Sequence, residues 1–421
     1  MSKSYITNRE QIAITPERQL VLDIAEAGLS AIDTDTVMQE FIKLDGQTLT
    51  VKDQTFDLAK YKRVLVLGFG KASGKAAKSL DEILGDKITD GVVISLKKND
   101  CKHIRTFVGT HPLPSLENLQ VAEQMAELIK DISADDLVIC LVSGGGSALL
   151  TWTKQECDQG VKLYNSYLKT GDDILGLNTV RKHISAAKGG GLAKMLYPAT
   201  VIGLIFSDVA GHHTNMVDSG PTFKDESTMA DAQAIIDKYQ LGDFVLNETP
   251  KEDKYFANVH NITIVSNVTA LHAMKDAAEQ MGHKAVIVSE ELYDPPHATM
   301  QKMLDAAQPG TIVLGGSEIK ITVTKSGGRG GRNTYLATFA LLHLTHQDTF
   351  AAVASDGLDN SDCAGAIVDA QTKQAAHNKI QITDYLENFD GYSLFEKTGH
   401  ELIFTGPTEA NVSDYLILYR K

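Results

Sequence analysis

Unbroken apolar runs rich in β-branched residues recur along this chain, and many of them end on glycine, serine or aspartate. RVLVLGF at 63–69, GVVISL at 91–96, DLVICLVSG at 136–144 and ATVIGLIFSDV at 199–209 share this form, with helical periodicity between them, as near 71–84. A strand with one wet face alternates apolar and polar residues, whereas a strand covered on both faces has no such need. The runs therefore predict sheets buried on both sides, with the intervening helices as the cover. NITIVSN at 261–267, KAVIVSEEL at 284–292, TIVLGGS at 311–317 and TFAAVASDG at 349–357 repeat the rhythm, separated by helical stretches near 268–282, 297–307 and 332–345. The fold class expected is α/β with largely parallel sheets. ELIFTG and YLILYR, farther along, fit a place in either half.

With 421 residues, 43% of them hydrophobic, the chain can bury two cores of ordinary size. The stretch LGDFVLNETPKEDKYFANVH at 241–260 loses apolar periodicity and gathers charge, the mark of a linker or a peripheral excursion. The division expected is a first domain over 1–250 and a second over 251–421.

A formal charge of −14 argues against a nucleic-acid or anionic-membrane partner, so an anionic substrate must find its own basic site. Cys101, Cys140, Cys157 and Cys363 have no C-x-x-C spacing, which fits a reducing compartment and offers no zinc framework. The start, MSKSYITNREQIAIT, lacks a basic segment followed by an apolar one, and no stretch has the length of a membrane span. A cytoplasmic location is expected.

In open α/β sheets, ligands bind beyond the carboxyl ends of the strands. Those ends here carry Gly68-Phe69-Gly70-Lys71, Ser143-Gly144-Gly145-Gly146-Ser147, Ser207-Asp208, Ser266-Asn267, Gly315-Gly316-Ser317 and Ser355-Asp356. Any one of these taken alone reads first as turn or cap chemistry; their joint recurrence points to a ligand-binding cleft. The first loop is not a complete dinucleotide fingerprint, since Ser73 stands where G-x-G-x-x-G needs its third glycine. It is not a Walker A loop either, because Leu65 replaces the first glycine and Ala72 the Ser/Thr. What remains is a lysine, Lys71, placed at the expected start of a helix, where backbone N–H groups and the dipole favour an anion.

Three glycines at the end of a strand, in SGGGS at 143–147, let backbone amides approach an oxyanion closely. The segment KITVTKSGGRGGRN at 320–333 sets Arg329 and Arg332 in a glycine-rich loop before a helix, an arrangement suited to clamping a phosphoryl group. Asp208 and Asp356 each follow an apolar strand and a serine, where a carboxylate can hold Mg²⁺ or take the proton of an attacking hydroxyl.

These residues, taken in order, resemble the glycerate 2-kinase family, whose amino-terminal part is a domain of formerly unknown function and whose carboxyl-terminal part is the MOFRL domain. The likeness is carried by VLGFGKASGKAA at 66–77, GTHPLPS at 109–115, LVSGGGSALL at 141–150, LNTVRKHISAAKGGGLA at 177–193, SDVAG at 207–211, SGPT at 219–222, GGRN at 330–333, ASDG at 354–357 and FTGPTEANVSD at 404–414. It implies two Rossmann-like α/β domains with an interdomain active-site cleft, and transfer of the γ-phosphate of ATP to the 2-hydroxyl of D-glycerate. It further implies catalytic roles for Lys71, Asp208, Arg332 and Asp356. Ligand-binding roles follow for Gly70, Ser143, Gly144, Gly145, Gly146, Ser147, Gly316, Arg329 and Asn333. Lys71, Arg332 and a carboxylate-held Mg²⁺ would supply charge neutralisation, with Asp208 as base and Asp356 as metal ligand, the reverse assignment also standing. Arg181 is the candidate for the glycerate carboxylate.

The chain departs from the family pattern at His212 and His213 after SDVAG and at Thr334 and Tyr335 after GGRN, which leaves room for another small hydroxy acid as acceptor. Two rival readings stand beside the kinase. One is a hydroxypyruvate reductase using NAD(P)H, although GVVISL runs into Lys97 and Lys98 rather than the acidic residue that would hold a ribose. The other is an anion-binding sensor without turnover. A homodimer is left open.

Overall fold

The computed structural model describes residues 4–167, 174–211, 213–325, 327–377 and 381–421. They form two compact units, neither of which is a single stretch of sequence. The larger-numbered unit, here the C-unit, comprises 1–33, 208–212 and 265–421; the N-unit comprises 34–207 and 213–264.

The N-unit opens with a small antiparallel sheet of β1 (Ile42–Asp45), β2 (Thr48–Val51) and β3 (Gln54–Asp57). Its main sheet has six strands: β4 (Arg63–Phe69), β5 (Asp90–Ser95), β6 (Arg105–Val108), β7 (Asp136–Ser143), β8 (Thr200–Phe206) and β9 (Val259–Val265). They lie in the order β6-β5-β4-β7-β8-β9, and the pairs from β6 through β8 are parallel. The expected runs become these strands to within a few residues, and all eight positions of β7 are buried, as a doubly covered strand requires. β9, expected in the second half of the alternation, instead closes the edge of this first sheet.

The stretch 241–260 is a peripheral excursion of the N-unit rather than a linker. Its few apolar residues are anchors: Leu241 is buried with Leu163, Tyr167 and Ile184, and Phe244 and Leu246 pack on the same cluster. Its backbone is also tied down, with Asn247 N–H donating to the His183 carbonyl at 2.7 Å.

The C-unit is built on a second six-stranded sheet of β10 (Lys284–Leu292), β11 (Thr311–Ser317), β12 (Asp348–Ala354), β13 (Gly365–Val368), β14 (Leu402–Ile403) and β15 (Asp414–Arg420). Its order is β10-β11-β15-β12-β13-β14. Among the described residues of this sheet only β10 and β11 pair in parallel; β15 enters antiparallel to both β11 and β12. The parallel character expected of both sheets thus holds for the first, while the second is mixed. The cause is the run YLILYR, which fills the middle of this sheet, where its side chains are almost all buried.

Helices Pro16–Ala31 and Asn267–Gln280 pack together within the C-unit, and Gly28 marks the contact: a Cβ there would lie 2.9 Å from Met274 Cγ. Arg18, fully buried, secures the first helix. It donates from Nε and Nη2 to the two oxygens of Asp369, at 2.7 and 3.0 Å, and from Nη2 to Thr372 Oγ1 at 2.7 Å. Burial pulls Asp369 up, yet the bonds and charge of Arg18, helped by backbone donors, hold it below the usual carboxylate range. Among the described residues, no helix is long and apolar enough to cross a membrane.

Candidate active site

In the N-unit the chain leaves β4 at Gly70, whose φ of +120° belongs to glycine. A Cβ here would lie 1.9 Å from the Ser143 carbonyl oxygen, so the end of β4 rests directly on the end of β7. The helix that follows runs over Ser73–Leu84, two residues later than its periodicity suggests. The loop N–H groups expected to be free for an anion are already used. Lys71 N–H donates to the Gly144 carbonyl at 2.9 Å, and Ala72 N–H to Ser143 Oγ at 3.1 Å. Ser143 Oγ also lies 3.0 Å from Ser73 Oγ, which makes its hydroxyl a clasp between the strand ends. The anion-attracting element left at this loop is the Lys71 side chain, which has no ion-pair partner among the described residues.

The SGGGS loop turns at Gly145, φ +92°. Its position is crowded: a Cβ would meet Lys71 Cγ at 3.1 Å and His111 Cδ2 at 3.2 Å. A Cβ on Gly146 would lie 2.1 Å from Asp218 Oδ2. Ser147 Oγ is 3.1 Å from Ser219 Oγ, which lies 3.2 Å from Asn178 Oδ1; Arg181 Nη1 donates to that same oxygen at 3.3 Å. The structure therefore brings Lys71, Gly145, Ser147 and Arg181 into one group of neighbours.

Burial pulls Arg181 down to about 10, partly offset by Tyr164 and Asp218. Among the described residues, no carboxylate makes a salt bridge with it. Partial burial, then the charges of Lys71 and Arg181, push His111 down to about 4, so the imidazole is neutral at physiological pH. Beneath the loop exit, Lys188 and Glu156 form an ion pair with side chains 3% and 4% exposed. Lys188 also donates to the Leu150 carbonyl at 2.7 Å, and Glu156 accepts from Trp152 N–H at 3.0 Å.

In the C-unit, Asp208 lies in the segment 208–212, held by Ser413 Oγ, which donates to the Asp208 carbonyl at 2.8 Å, and by Gly211 N–H, which donates to Asn267 Oδ1 at 3.0 Å. His212 lies outside the described residues. Ser355 N–H donates to the Ser413 carbonyl at 3.2 Å, which connects Asp208 through Ser413 to the strand end bearing Asp356. The neighbouring Asp414 pairs with Arg332 Nε, and Arg332 Nη1 donates to Glu318 at 3.1 Å. Asp208, Arg332 and Asp356 thus gather around the start of β15.

A cavity of about 570 Å³ opens here, lined on its polar side by Arg332, Asn333, Asp356, Asp359, Asn411 and Asp414. Its carboxylates are not equivalent. Asp359 caps the helix Arg332–Ala340, accepting from the N–H groups of Gly331, Asn333 and Thr334 at 2.8–3.0 Å, so both of its oxygens are committed. Burial pushes Asp414 up to about 7, against the pull of Arg332. Asp356 accepts one bond, from Leu358 N–H at 3.1 Å through Oδ1, and its second oxygen takes no protein donor among the described residues. Of the three, Asp356 is the one with coordination capacity to spare for Mg²⁺, which needs only one or two carboxylates when phosphates supply the rest.

Gly316 and Arg329 stand apart from this cavity lining. Gly316 is a packing position, where a Cβ would lie 2.4 Å from Asn267 Nδ2. Arg329 stacks on Tyr392 at 3.9 Å from the ring centre and pairs with Glu396 at 3.5 Å.

Residues 20–249 match a domain of unknown function, DUF4147, and residues 311–414 match the MOFRL family. The chain is 31% identical to glycerate 2-kinase of Pyrococcus horikoshii, over 94% of this chain and 98% of the relative. It is 30% identical to D-glycerate 2-kinase of Thermotoga maritima, over 95% and 97%. The crystal structure of Thermotoga maritima glycerate kinase superposes with a TM-score of 0.83 at 28% identity, covering 96% of this chain and 99% of that one. This chain belongs to the glycerate 2-kinase family.

Three residues near the family's glycine loop were not singled out from sequence: His111, Asn178 and Ser219. Each lies inside a motif that carries the family likeness, but between residues of more obvious chemistry. His111 precedes a proline, and its neighbourhood with Lys71 and Arg181 depends on pairings between distant segments.

Proposed function

We propose that this protein transfers the γ-phosphate of ATP to the 2-hydroxyl of D-glycerate, giving 2-phosphoglycerate and ADP. The observation that carries the reading is the pair Lys71 and Arg181 beside the SGGGS loop, two cations that make no salt bridge among the described residues. A desolvated guanidinium that Asp218 compensates only in part, and that makes no salt bridge among the described residues, suits a substrate carboxylate, which it can bind bidentately. Lys71 then stabilises charge on the phosphoryl group in flight, where an ammonium in a water-poor site is worth more than in bulk.

Arg332, held in place by Asp414 and Glu318, is assigned to phosphate oxygens of the nucleotide. Asp356 would hold Mg²⁺, which when bound would neutralise phosphate oxygens. Asp208 is assigned to receive the hydroxyl proton. The four cysteines are free thiols, which supports a reducing location such as the cytoplasm.

Reduction of hydroxypyruvate is disfavoured by the loop after β4. A dinucleotide pyrophosphate needs free N–H groups there, and those of Lys71 and Ala72 are spent on Gly144 and Ser143. The deciding assay incubates the purified protein with D-glycerate, ATP and Mg²⁺ and identifies the phosphorylated position by ³¹P NMR. 2-Phosphoglycerate with stoichiometric ADP is expected. Oxidation of NADH or NADPH by hydroxypyruvate without ADP formation would overturn the assignment.

A further inference from the structure

The polar lining of the C-unit cavity accounts for only part of its wall. The rest is apolar, supplied chiefly by Ile319, Ile321, Tyr335 and Phe389. Tyr335 and Phe389 are stacked, with ring centres 5.6 Å apart and planes 22° from parallel. A volume of about 570 Å³ lies inside the range of small-molecule sites, roughly 300–1,000 Å³, and exceeds what an acid as small as glycerate fills.

We propose that the Tyr335–Phe389 wall of this cavity stacks the purine base of the nucleotide. The proposal rests on the kinase reading for the identity of the ligand; the geometry itself is independent of it. Arg332 and Tyr335 are three residues apart on one helix, so their side chains share a face about one turn apart. A base on the aromatic pair therefore directs its phosphates along the helix toward Arg332 and Asp356. Asp359 has already taken the N–H groups at that helix terminus, so the phosphates must be met by side chains. Aromatic faces accept any base by stacking, and Ile319 and Ile321 add apolar surface to the same lining.

The test measures ADP affinity by isothermal titration calorimetry for the full chain, Tyr335→Ala, Tyr335→Phe and Phe389→Ala, with inorganic tripolyphosphate as a probe that lacks a base. Tyr335→Ala and Phe389→Ala should each weaken ADP by about 5- to 100-fold, leave tripolyphosphate unchanged, and Tyr335→Phe should bind ADP as the wild type does. ADP affinity equal in wild type and Tyr335→Ala overturns the proposal. So does parallel loss of ADP and tripolyphosphate, which would locate the effect in the phosphate contacts or the fold. Glycerate phosphorylation is followed separately. ADP binding that depends on Tyr335 in a protein without turnover refutes the kinase reading alone, and turnover with Tyr335-independent ADP binding refutes the wall alone.

Discussion

Replacing Lys188 by methionine isolates what holds the glycine-rich loop in place. Methionine fills most of the volume of the lysine stem, so the change is electrostatic: Glu156, 4% exposed, is left without its counter-ion, and the Leu150 carbonyl loses its donor. Breaking a buried pair from one side costs about 3–5 kcal/mol, because the surviving charge is neither solvated nor paired. For a unit of ~150–250 residues each kcal/mol moves the melting temperature by roughly 2–4 °C, so Lys188→Met should lower the N-unit transition by about 6–20 °C in calorimetry. The double variant Lys188→Met/Glu156→Leu shares the loss at the Leu150 carbonyl but exchanges the stranded charge for an unpaired Trp152 N–H, at about 1–3 kcal/mol. It should therefore fall between the single variant and the wild type. The reasoning fails if Lys188→Met costs under ~1 kcal/mol, the level of a surface pair, or if the double variant is less stable than the single.

Arg181→Ala should raise KM for glycerate by roughly 10- to 150-fold, the equivalent of about 1.5–3 kcal/mol for a charged hydrogen bond, with little change in KM for ATP; equal changes in both would remove Arg181 from the acceptor. Gly145→Ala places a Cβ at φ +92° against Lys71 and His111, and should cost ~1–2 kcal/mol of stability together with a fall in kcat, read by urea denaturation and initial rates. His111 titrates near about 4 when folded against an ordinary 6.5, so the unfolded chain binds the extra proton between those values. Its contribution to stability is present above 6.5 and is lost as pH falls toward 4. His111→Gln should flatten the decline of the urea midpoint over that window, and an unchanged slope would show that other groups carry it.

The first sheet was legible because each of its central strands is a self-announcing apolar run, and β7 is buried at every position. The second sheet was legible in its elements but not in its direction. Periodicity reports which residues are covered, and says nothing about whether YLILYR runs with its neighbours or against them. The site divides similarly. Lys71 and Arg332 stand out as charges beside glycines. That Ser143 serves as a clasp, that Asp359 caps a helix from 25 or more residues away, and that Asp414 holds Arg332 are all products of long-range pairing. Local sequence carries no trace of such partners. The start of the helix after β4 at Ser73 is a matter of the same pairing: the N–H groups of Lys71 and Ala72 are bonded at the end of β7, and Ala72 serves as the N-cap, its carbonyl accepting from Ala76 N–H at 2.9 Å.

The place of β15 bears on how the protein is made. Every segment of the N-unit has been synthesised by residue 264, whereas the C-unit sheet lacks an interior strand until residues 414–420 are translated. At about 5–20 residues per second, the helix Pro16–Ala31 waits roughly 20–80 s for the β15 on which its unit depends. Through that interval Val21, Leu22, Ile24 and Leu29, all buried in the finished fold, have no completed core to enter, and β11 and β12 present unpaired edges. A nascent chain stalled before residue 414 should therefore hold a folded N-unit beside an open C-unit, an obvious client for a chaperone that recognises apolar helices and bare strand edges.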